Sequence, residues 1–306
     1  MEPDIRKLDL NLLKALNALL EERSVTRAAE RLALTQPAVS GMLTRLREQF
    51  DDPLFVRARH GIIPTARAEA LAVPVRDVLH HIERMLQPQQ FDPLTANLTL
   101  SIAATDYAQS AILIPYLAAL RQQAPGVRVV IRPVDQEQLL PAMERGELDL
   151  ALITPSTTPP GLHARRLFDE EYLCVMRSGH PDALPGAILP LERFCALEHA
   201  LVSLSGQPFT GITDEALARV GQSRRVVLSV SSFLVLPEIL AITDLIAVVP
   251  QRLARHRKDM VCMAPPLPIP GFTKVVAWHA RTQHDVAHRW LRELLYQVCL
   301  PTPEVR

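Results

Sequence analysis

The chain has 306 residues, 48% of them hydrophobic, which is long and apolar enough to bury the cores of two or three domains and excludes a disordered chain. Its 33 basic and 33 acidic residues balance, so overall charge cannot steer a charged partner. Binding to nucleic acid would therefore require local charge segregation, which the eight arginines and four acidic residues between Arg23 and Arg67 provide.

The first predicted elements are three helices. Leucines at helical spacing run from Asp9, a good N-cap, to about Arg23 and predict the first helix. Ser24 then caps a short helix, and Thr35 caps a third helix with Pro37 in its first turn, where a missing N–H costs little. Two short helices joined by a tight turn predict a helix-turn-helix.

The third helix is polar on the face opposite its apolar residues. That face can donate hydrogen bonds along its length, from Gln36, Ser40, Thr44, Arg45 and Arg47. The following stretch, DDPLFVRARHGIIPT, combines a β-rich run, a polar turn ending in Gly61 and a second apolar run. This pattern predicts a two-stranded wing.

From Thr65 to Gln87 the pattern predicts one long amphipathic helix. Apolar residues at alternating spacings of four and three form a heptad seam that predicts pairing of two chains: Leu71, Val75, Val78, Ile82 and Met85. The alternative is that this face packs on the core of its own domain. Pro74 lacks a backbone N–H and should kink the helix or split it into two pieces.

Beyond a linker rich in Pro and Gln, strands and helices alternate in the manner of an α/β fold. We expect a mostly parallel sheet with helices on both faces, then a second set of strands that begins near Leu162. A last strand and a helix from about His284 to Val298 should return to the first lobe. Such a chain crosses between lobes twice and leaves a cleft bounded by strand ends, where open α/β sheets bind ligands.

Taken in this order, the elements resemble the LysR-type transcriptional regulators over essentially the whole chain. The resemblance is carried by LDLNLLKALNALLEERSVTRAAERLALTQPAVSGMLTRLRE, then by DPLFVR, and then by the Gly and Pro-Thr of GIIPT. LDLNLL and DDPLFVR are most similar to the branch that senses small aromatic inducers, such as the nodulation and salicylate-type regulators.

The resemblance implies an α/β protein with a winged helix-turn-helix domain, a long linker helix and a two-lobed effector-binding domain that resembles type 2 periplasmic binding proteins. The implied boundaries are 1–64 for the DNA-binding domain, 65–87 for the linker and dimerisation helix, 88–95 for the hinge and 96–301 for the effector-binding domain. Within that last domain, lobe I is expected at about 96–161 and 269–301, and lobe II at about 162–268.

The resemblance also implies that the third helix lies in a major groove of DNA. Gln36 and Ser40 would touch base edges or phosphates, and Arg45 the backbone. The residues expected to bind DNA are Ser24, Thr26, Arg27, Thr35, Gln36, Pro37, Ser40, Thr44, Arg45, Arg57, Arg59 and His60. Gly41 stands where the family commonly has a long polar residue, which removes a possible base contact and costs the helix ~1 kcal/mol.

In the family, two strand-to-helix junctions face the effector, here AATDYAQS and SVSSF. Their hydroxyl and backbone N–H groups suit a carboxylate. The residues expected to line the cleft are Thr105, Asp106, Thr154, Ser203, Ser231 and Ser232. Helix capping alone is the alternative role for each hydroxyl. Asp106 would repel a carboxylate unless it turns away to cap, so a neutral or phenolic ligand stays open beside an aromatic acid.

The partners implied by the resemblance are double-stranded operator or promoter DNA, a small-molecule effector, RNA polymerase and further copies of the chain. A homodimer that assembles further into a tetramer is expected. The protein is not expected to be an enzyme, and no cofactor or metal is expected.

Two other classes of protein share part of the pattern. HDVAH places His284 and His288 four residues apart on a helix, as in a metal-dependent enzyme, but its acid is Asp285 and no third ligand stands out. A two-lobed solute-binding protein would match the second half alone.

The four cysteines form no CxxC pair, the N-terminus lacks a secretion signal, and no stretch approaches ~18 apolar residues, so we expect a cytoplasmic protein without membrane contact.

Overall fold

The computed structural model describes residues 9–59, 61–87, 90–183, 188–203, 207–254 and 259–300. The chain divides into two compact units, Met1–Gln89 and Gln90–Arg306. Among the described residues, no helix is long and apolar enough to cross a membrane.

The first unit is a winged helix-turn-helix that continues into a long helix. Its elements are α1 (Leu10–Glu22), α2 (Val25–Arg31), α3 (Gln36–Phe50), β1 (Phe55–Ala58), β2 (Gly61–Pro64) and α4 (Ala66–Leu86). The side chains of Asp9, Ser24, Thr35 and Thr65 each accept a backbone N–H in the first turn of the helix that follows. Because these acceptors satisfy N–H groups that the helices leave free, the caps determine where all four helices begin; those at Asp9, Ser24 and Thr35 are the ones predicted from the sequence.

The wing is an antiparallel pair in which Phe55 is opposite Pro64 and Ala58 is opposite Gly61. Gly61 has a φ of +98°, and a Cβ at this position would collide with the carbonyl oxygen of Arg23. The same carbonyl accepts the N–H of Ile62 at 3.0 Å. Glycine is therefore required here, since the wing must approach the corner between α1 and α2 closely.

The long helix α4 narrows one expectation and corrects another. It is continuous from Ala66 to Leu86 across Pro74, so the helix is not split. Leu71 packs against the core of the first unit, and Val75 lies within that core with only 4% of its surface exposed. These two residues therefore belong to the intramolecular core and not to a free seam, because α4 packs along α1.

The first lobe of the second unit is built on a five-stranded sheet in the order β4-β3-β5-β12-β6. Its strands are β3 (Thr99–Ala104), β4 (Arg128–Arg132), β5 (Leu150–Ile153), β6 (Leu162–Glu170) and β12 (Phe272–His279). Its helices are α5 (Asp106–Ala108), α6 (Ile114–Gln123), α7 (Leu139–Arg145) and α12 (Val286–Cys299), and a π-helical turn at Gln109–Leu113 joins α5 to α6.

The second lobe contains another five-stranded sheet, in the order β11-β7-β10-β8-β9. Its strands are β7 (Tyr172–Arg177), β8 (Glu198–Val202), β9 (Arg225–Val230), β10 (Ile246–Pro250) and β11 (Met260–Met263). Its helices are α8 (Leu191–Ala196), α9 (Ile212–Ala218), α10 (Leu236–Ala241) and α11 (Gln251–Ala254).

Both sheets are mixed, which corrects the expectation of a mostly parallel arrangement. In the first lobe, β3 pairs in parallel with β4 and β5, whereas β12 pairs antiparallel with β5 and β6. The antiparallel pairs arise because β6 and β12 carry the chain out of the first lobe and back into it, without a crossover helix between paired strands.

The predicted start of the second lobe, near Leu162, is wrong. β6 (Leu162–Glu170) pairs with β12 in the sheet of the first lobe, so the chain enters the second lobe only between Glu170 and Tyr172. It returns between Met263 and Phe272, and the two crossings touch: a Cβ on Gly271 would collide with the carbonyl oxygen of Glu170. Glycine allows this close contact between the two crossing segments.

A buried polar network stabilises the second lobe. Arg224, with 1% of its side chain exposed, pairs with both oxygens of Asp214 at 2.9 and 2.8 Å and donates to Nδ1 of His199 at 3.3 Å. The other ring nitrogen of His199 donates to the carbonyl of Phe194 at 2.8 Å. Burial lowers the pKa of His199 to about 4, so the ring is neutral near pH 7.

Candidate nucleic-acid interface and effector cleft

Helix α3 is amphipathic in the way that the sequence predicts. Val39, Leu43 and Leu46 are buried against α1 and α2, while Gln36 and Ser40 lie on the exposed side. Thr44 lies one turn further on, and its hydroxyl donates to the carbonyl of Ser40 at 3.1 Å. Since α3 is held by its buried face, the hydrogen-bonding side chains on the opposite face are presented on a rigid support.

The first turn of α3 combines Thr35, whose hydroxyl accepts the N–H of Ala38 at 3.4 Å, with Pro37. Gly41 is open to solvent, with no atom within 4 Å of a Cβ built at that position. Arg45 lies 3.8 Å from the carboxylate of Asp9, and both side chains are largely exposed. Such a weak surface pair leaves Arg45 available to a phosphate.

Arg47, which the sequence places on the polar face, has a structural role. It donates to the carbonyls of Pro53 and Phe55 at 2.8 and 3.0 Å and so fixes the wing to α3. Arg57 and Arg59 are exposed on the wing, whereas His60 lies outside the described residues.

The start of α2 is also predicted to contact DNA. Ser24 caps the helix, and Thr26 is exposed beside it. Arg27 donates to the carbonyl of Glu22, so its guanidinium is partly held by the end of α1. Ser24 therefore has an intramolecular partner, and Thr26 offers a hydroxyl at the surface.

In the second unit, Asp106 joins the two lobes. One carboxylate oxygen accepts the N–H of the adjacent Tyr107 at 2.7 Å, and the other accepts the N–H of Phe233 in the second lobe at 2.6 Å. Thr105 caps the same helix through Ala108 at 3.3 Å. The two junctions predicted to face an effector are thus brought together. The contact between them is a direct hydrogen bond to Asp106, whose carboxylate already accepts two N–H groups.

The other predicted hydroxyls have partners within the chain. Thr154 contacts the hydroxyl of Thr157 at 3.0 Å, Ser203 donates to the carbonyl of Gln207 at 2.7 Å, and Ser232 accepts the N–H of Leu234 at 3.2 Å. The N–H of Ser203 also donates to Val230 at 2.9 Å, which places Ser203 beside the exposed Ser231.

A buried cluster between the lobes was missed by sequence reasoning. The hydroxyl of Tyr107 donates to the carboxylate of Glu170, and Arg252 lies 3.8 Å from the same carboxylate. Burial, together with the hydrogen bond to Glu170, raises the pKa of Tyr107 above its usual range. Lys274 is also buried, and desolvation lowers its pKa to about 8. A lysine inside the apolar run TKVVAWHA was the available signal, because a lysine is almost never fully buried unless it is paired.

A separate cavity of about 310 Å³ lies on the first lobe beside α7. Residues such as Arg132, Gln138, Leu139 and Arg145 line it, and none of the six residues predicted to bind an effector does so.

In HDVAH, Asp285 caps α12 through the N–H of His288 at 2.8 Å. No group of three or more possible metal ligands occurs among the described residues.

Comparison with known proteins identifies both units. Residues 10–69 match the family model for a bacterial regulatory helix-turn-helix protein of the lysR family, and residues 95–300 match the LysR substrate binding domain. The chain is 37% identical to the HTH-type transcriptional activator NahR of Pseudomonas putida, over 96% of this chain and 99% of NahR. It is 33% identical to Nodulation protein D 2 of Bradyrhizobium diazoefficiens, over 95% of this chain and 88% of that protein.

Solved structures agree. A probable transcriptional regulator from Pseudomonas aeruginosa is 33% identical and matches with a TM-score of 0.59, over 95% of this chain and 97% of that chain. Full-length CbnR, solved as a complex with its target DNA, shares the fold at 17% identity and a TM-score of 0.57, over 95% of this chain and 100% of that chain.

Proposed function

The chain belongs to the LysR family of bacterial transcriptional regulators, and from this premise we propose which of its residues read the operator and where its effector binds. It is a DNA-binding regulator and not an enzyme, like the named regulators that it matches over almost its full length. The observation that carries the proposal is α3, a capped helix whose buried side is fixed and whose exposed side carries Gln36, Ser40 and Thr44.

We assign α3 to the major groove of operator DNA. Gln36 and Ser40 contact base edges or phosphates, because they lie one turn apart on the exposed face. Thr35 and the free N–H groups of the first turn face a phosphate. Arg57 and Arg59 on the wing contact the backbone near the minor groove, and Arg45 from α3 contacts the backbone beside the major groove.

The C-terminal half of α4 is proposed to pair with a second copy. Val78, Met85 and Leu86 are exposed there, Met85 to 82%, and Ile82 lies between them. A single helix would present this apolar stripe to water, whereas a dimer covers it and matches the two-fold symmetry of an operator. Assembly into a tetramer and contact with RNA polymerase are proposed from family resemblance.

The effector is proposed to bind between the two lobes of the second unit, near Thr105 and Ser231–Ser232. Its first candidate class is a small aromatic acid, on the resemblance to the regulators of aromatic inducers. The bond from Phe233 to Asp106 supports this location, because a ligand that alters a contact between lobes has different affinities for their open and closed arrangements. A coupling of roughly 1–3 kcal/mol would be ordinary for such a system.

The test is footprinting at an operator near the gene for this protein. The double variant Gln36→Ala, Ser40→Ala should lose protection of the operator, while its circular dichroism spectrum stays that of the wild type. Gln49→Ala is a matched control, since Gln49 is exposed near the end of the same helix. Full protection by the double variant would remove the assignment of α3 as the reading helix.

A further inference from the structure

Lys274 lies at the edge of the first-lobe sheet that faces the predicted effector junctions. In β12, Val275 is opposite Ile153 of β5, and in β3 Ala104 is opposite Leu152 of the same strand. Continuing these registers by one residue brings Lys274 level with Thr154, the residue after β5, and Thr105, the residue after β3, level with Ile153. The three residues therefore lie close together along the edge formed by the ends of β3 and β5 and the first half of β12.

Among the residues that the structure describes, the ammonium group of Lys274 has only part of its hydrogen bonding satisfied. The residue is 4% exposed, and its Nζ donates to the carbonyl of Leu152 at 3.2 Å. The face of the Tyr107 ring lies 5.6 Å away and offers a second, weaker contact. A lysine ammonium has three N–H donors, so one backbone acceptor leaves two of them without a strong partner.

The acidic groups nearby do not neutralise this charge. Among the described residues, Lys274 forms no ion pair within 4 Å, and the carboxylate of Glu170 instead accepts the hydroxyl of Tyr107 and lies beside Arg252. The carboxylate of Asp106 accepts two backbone N–H groups. A buried cation without a carboxylate is costly to the fold, in line with the lowered pKa of Lys274.

The ring of Tyr107 belongs to an aromatic cluster. The ring of Tyr107 meets those of Phe233 and Phe272 edge-on, with centroids 6.1 and 5.6 Å apart, and Phe272 is 5.8 Å from Tyr172. Phe233 comes from the second lobe and follows Ser231–Ser232 directly. The buried cation thus lies over the ring of Tyr107, which packs in turn against rings from both lobes.

We propose that Lys274 is the counter-charge for a carboxylate of the effector, and that the effector is a small planar monocarboxylate held between Lys274 and these rings. This assignment rests on the proposed function, and it replaces Asp106 and the serine hydroxyls as the main determinant of charge specificity. A neutral ligand leaves the ammonium uncompensated, so the site discriminates against it. A carboxylate supplies the missing acceptors and the missing negative charge together.

The alternative role for Lys274 is structural, as a donor to Leu152 only. Lys274→Gln separates the two roles, because the amide can still donate to that carbonyl but carries no charge. Lys274→Met removes both and gives a second variant should the glutamine variant fold poorly. Lys14→Gln is the control for loss of a lysine charge elsewhere, on an exposed side chain of α1.

The experiment measures thermal stability of the full-length protein with benzoate, 4-hydroxybenzoate and cinnamate, each compared with its neutral amide. At least one carboxylate should stabilise the wild type and the Lys14→Gln variant while its amide does not, and its Kd should rise at least tenfold in Lys274→Gln and Lys274→Met. Equal stabilisation by acids and amides, no stabilisation by any acid, or undiminished binding of the acid by the folded Lys274 variants would overturn the inference.

A parallel measurement of operator binding without ligand separates this inference from the proposed function. Lys274→Gln should protect the operator as the wild type does, because Lys274 lies outside the DNA-binding unit. If the wild-type protein itself does not bind the operator, the function proposed for α3 is refuted, whatever the result of the carboxylate experiment.

Discussion

The bond between Asp106 and the second lobe makes the sharpest prediction about the unliganded protein. Its carboxylate accepts the N–H of Phe233 at 2.6 Å and that of Tyr107 at 2.7 Å. Asp106→Ala removes both acceptors at once. The N–H of Phe233, on a half-buried residue, then loses its partner, and the helix that begins at Asp106 loses the negative charge in its first turn.

The expected destabilisation follows from these two losses. A buried donor left without an acceptor costs roughly 1–3 kcal/mol, and hydrogen bonds to charged groups contribute roughly 1.5–3 kcal/mol. Partial access of water reduces this, so about 2 kcal/mol is expected. For a domain of this size, about 2 kcal/mol lowers the Tm by roughly 4–8 °C.

Tryptophan fluorescence is a selective assay for this change. The chain has two tryptophans, Trp278 and Trp290, and both lie in the second unit, so their emission during urea or thermal unfolding reports on that unit. Asp106→Asn keeps one acceptor oxygen and should lose about half as much stability as Asp106→Ala. A free energy of unfolding that changes by less than about 0.5 kcal/mol in Asp106→Ala would refute the reasoning that this bond stabilises contact between the lobes.

Three further outcomes are expected. Arg57→Ala should weaken binding to all DNA sequences alike and reduce the salt slope of log K by ~1, and a selective loss at one base pair would instead make Arg57 a base reader. Val78→Lys with Met85→Lys should shift full-length protein towards monomer in sedimentation at micromolar concentration, whereas Glu83→Lys, on another exposed face of α4, should not. His199 has a folded pKa of about 4, below the unfolded value of 6.5, so its contribution to stability is complete above pH 6.5 and is lost as the pH falls towards 4. In urea unfolding, the free energy of unfolding should therefore fall by at most about 3 kcal/mol because of this residue between pH 6.5 and pH 4. The variant His199→Gln should lack this fall.

The DNA-binding unit could be predicted almost to the residue because local chemistry determines it. Asp9, Ser24, Thr35 and Thr65 are strong N-caps, and each begins a helix in the structure. The position of Gly61 in the wing follows equally from a backbone conformation that other residues rarely adopt. Caps and turns act over a few residues, so the sequence contains all that is needed to find them.

Longer-range pairing was less predictable. β6 is largely polar and exposed along Leu162–Arg166, so it lacks the apolar run that marks a strand, and its pairing with β12 depends on a segment more than a hundred residues away. Leu71 and Val75 fit a heptad seam as well as they fit an intramolecular core, because both surfaces require apolar residues at the same spacing.

At the proposed effector cleft, residue type indicated the junctions but not their contacts. Thr105 and Asp106 were expected there, yet the acceptance of the Phe233 N–H by Asp106 joins residues 127 positions apart. The isolation of Lys274 from every described carboxylate is likewise a property of the packed state. Hydroxyl groups at strand ends led to the proposed location of the site, whereas the charge at that location depends on which ionic groups have already paired.

The contact between Gly271 and the carbonyl of Glu170 limits how the lobes can move. A body attached at one point can swivel about three axes, but attachment at two neighbouring points favours rotation about the line through them. Displacement in such a rotation grows in proportion to distance from that line. In a rotation of this kind Tyr107, whose hydroxyl donates a hydrogen bond to Glu170, would move little, and the far edges of both sheets would move farthest. A small change of angle caused by a ligand beside Tyr107 would therefore give a large displacement at those edges.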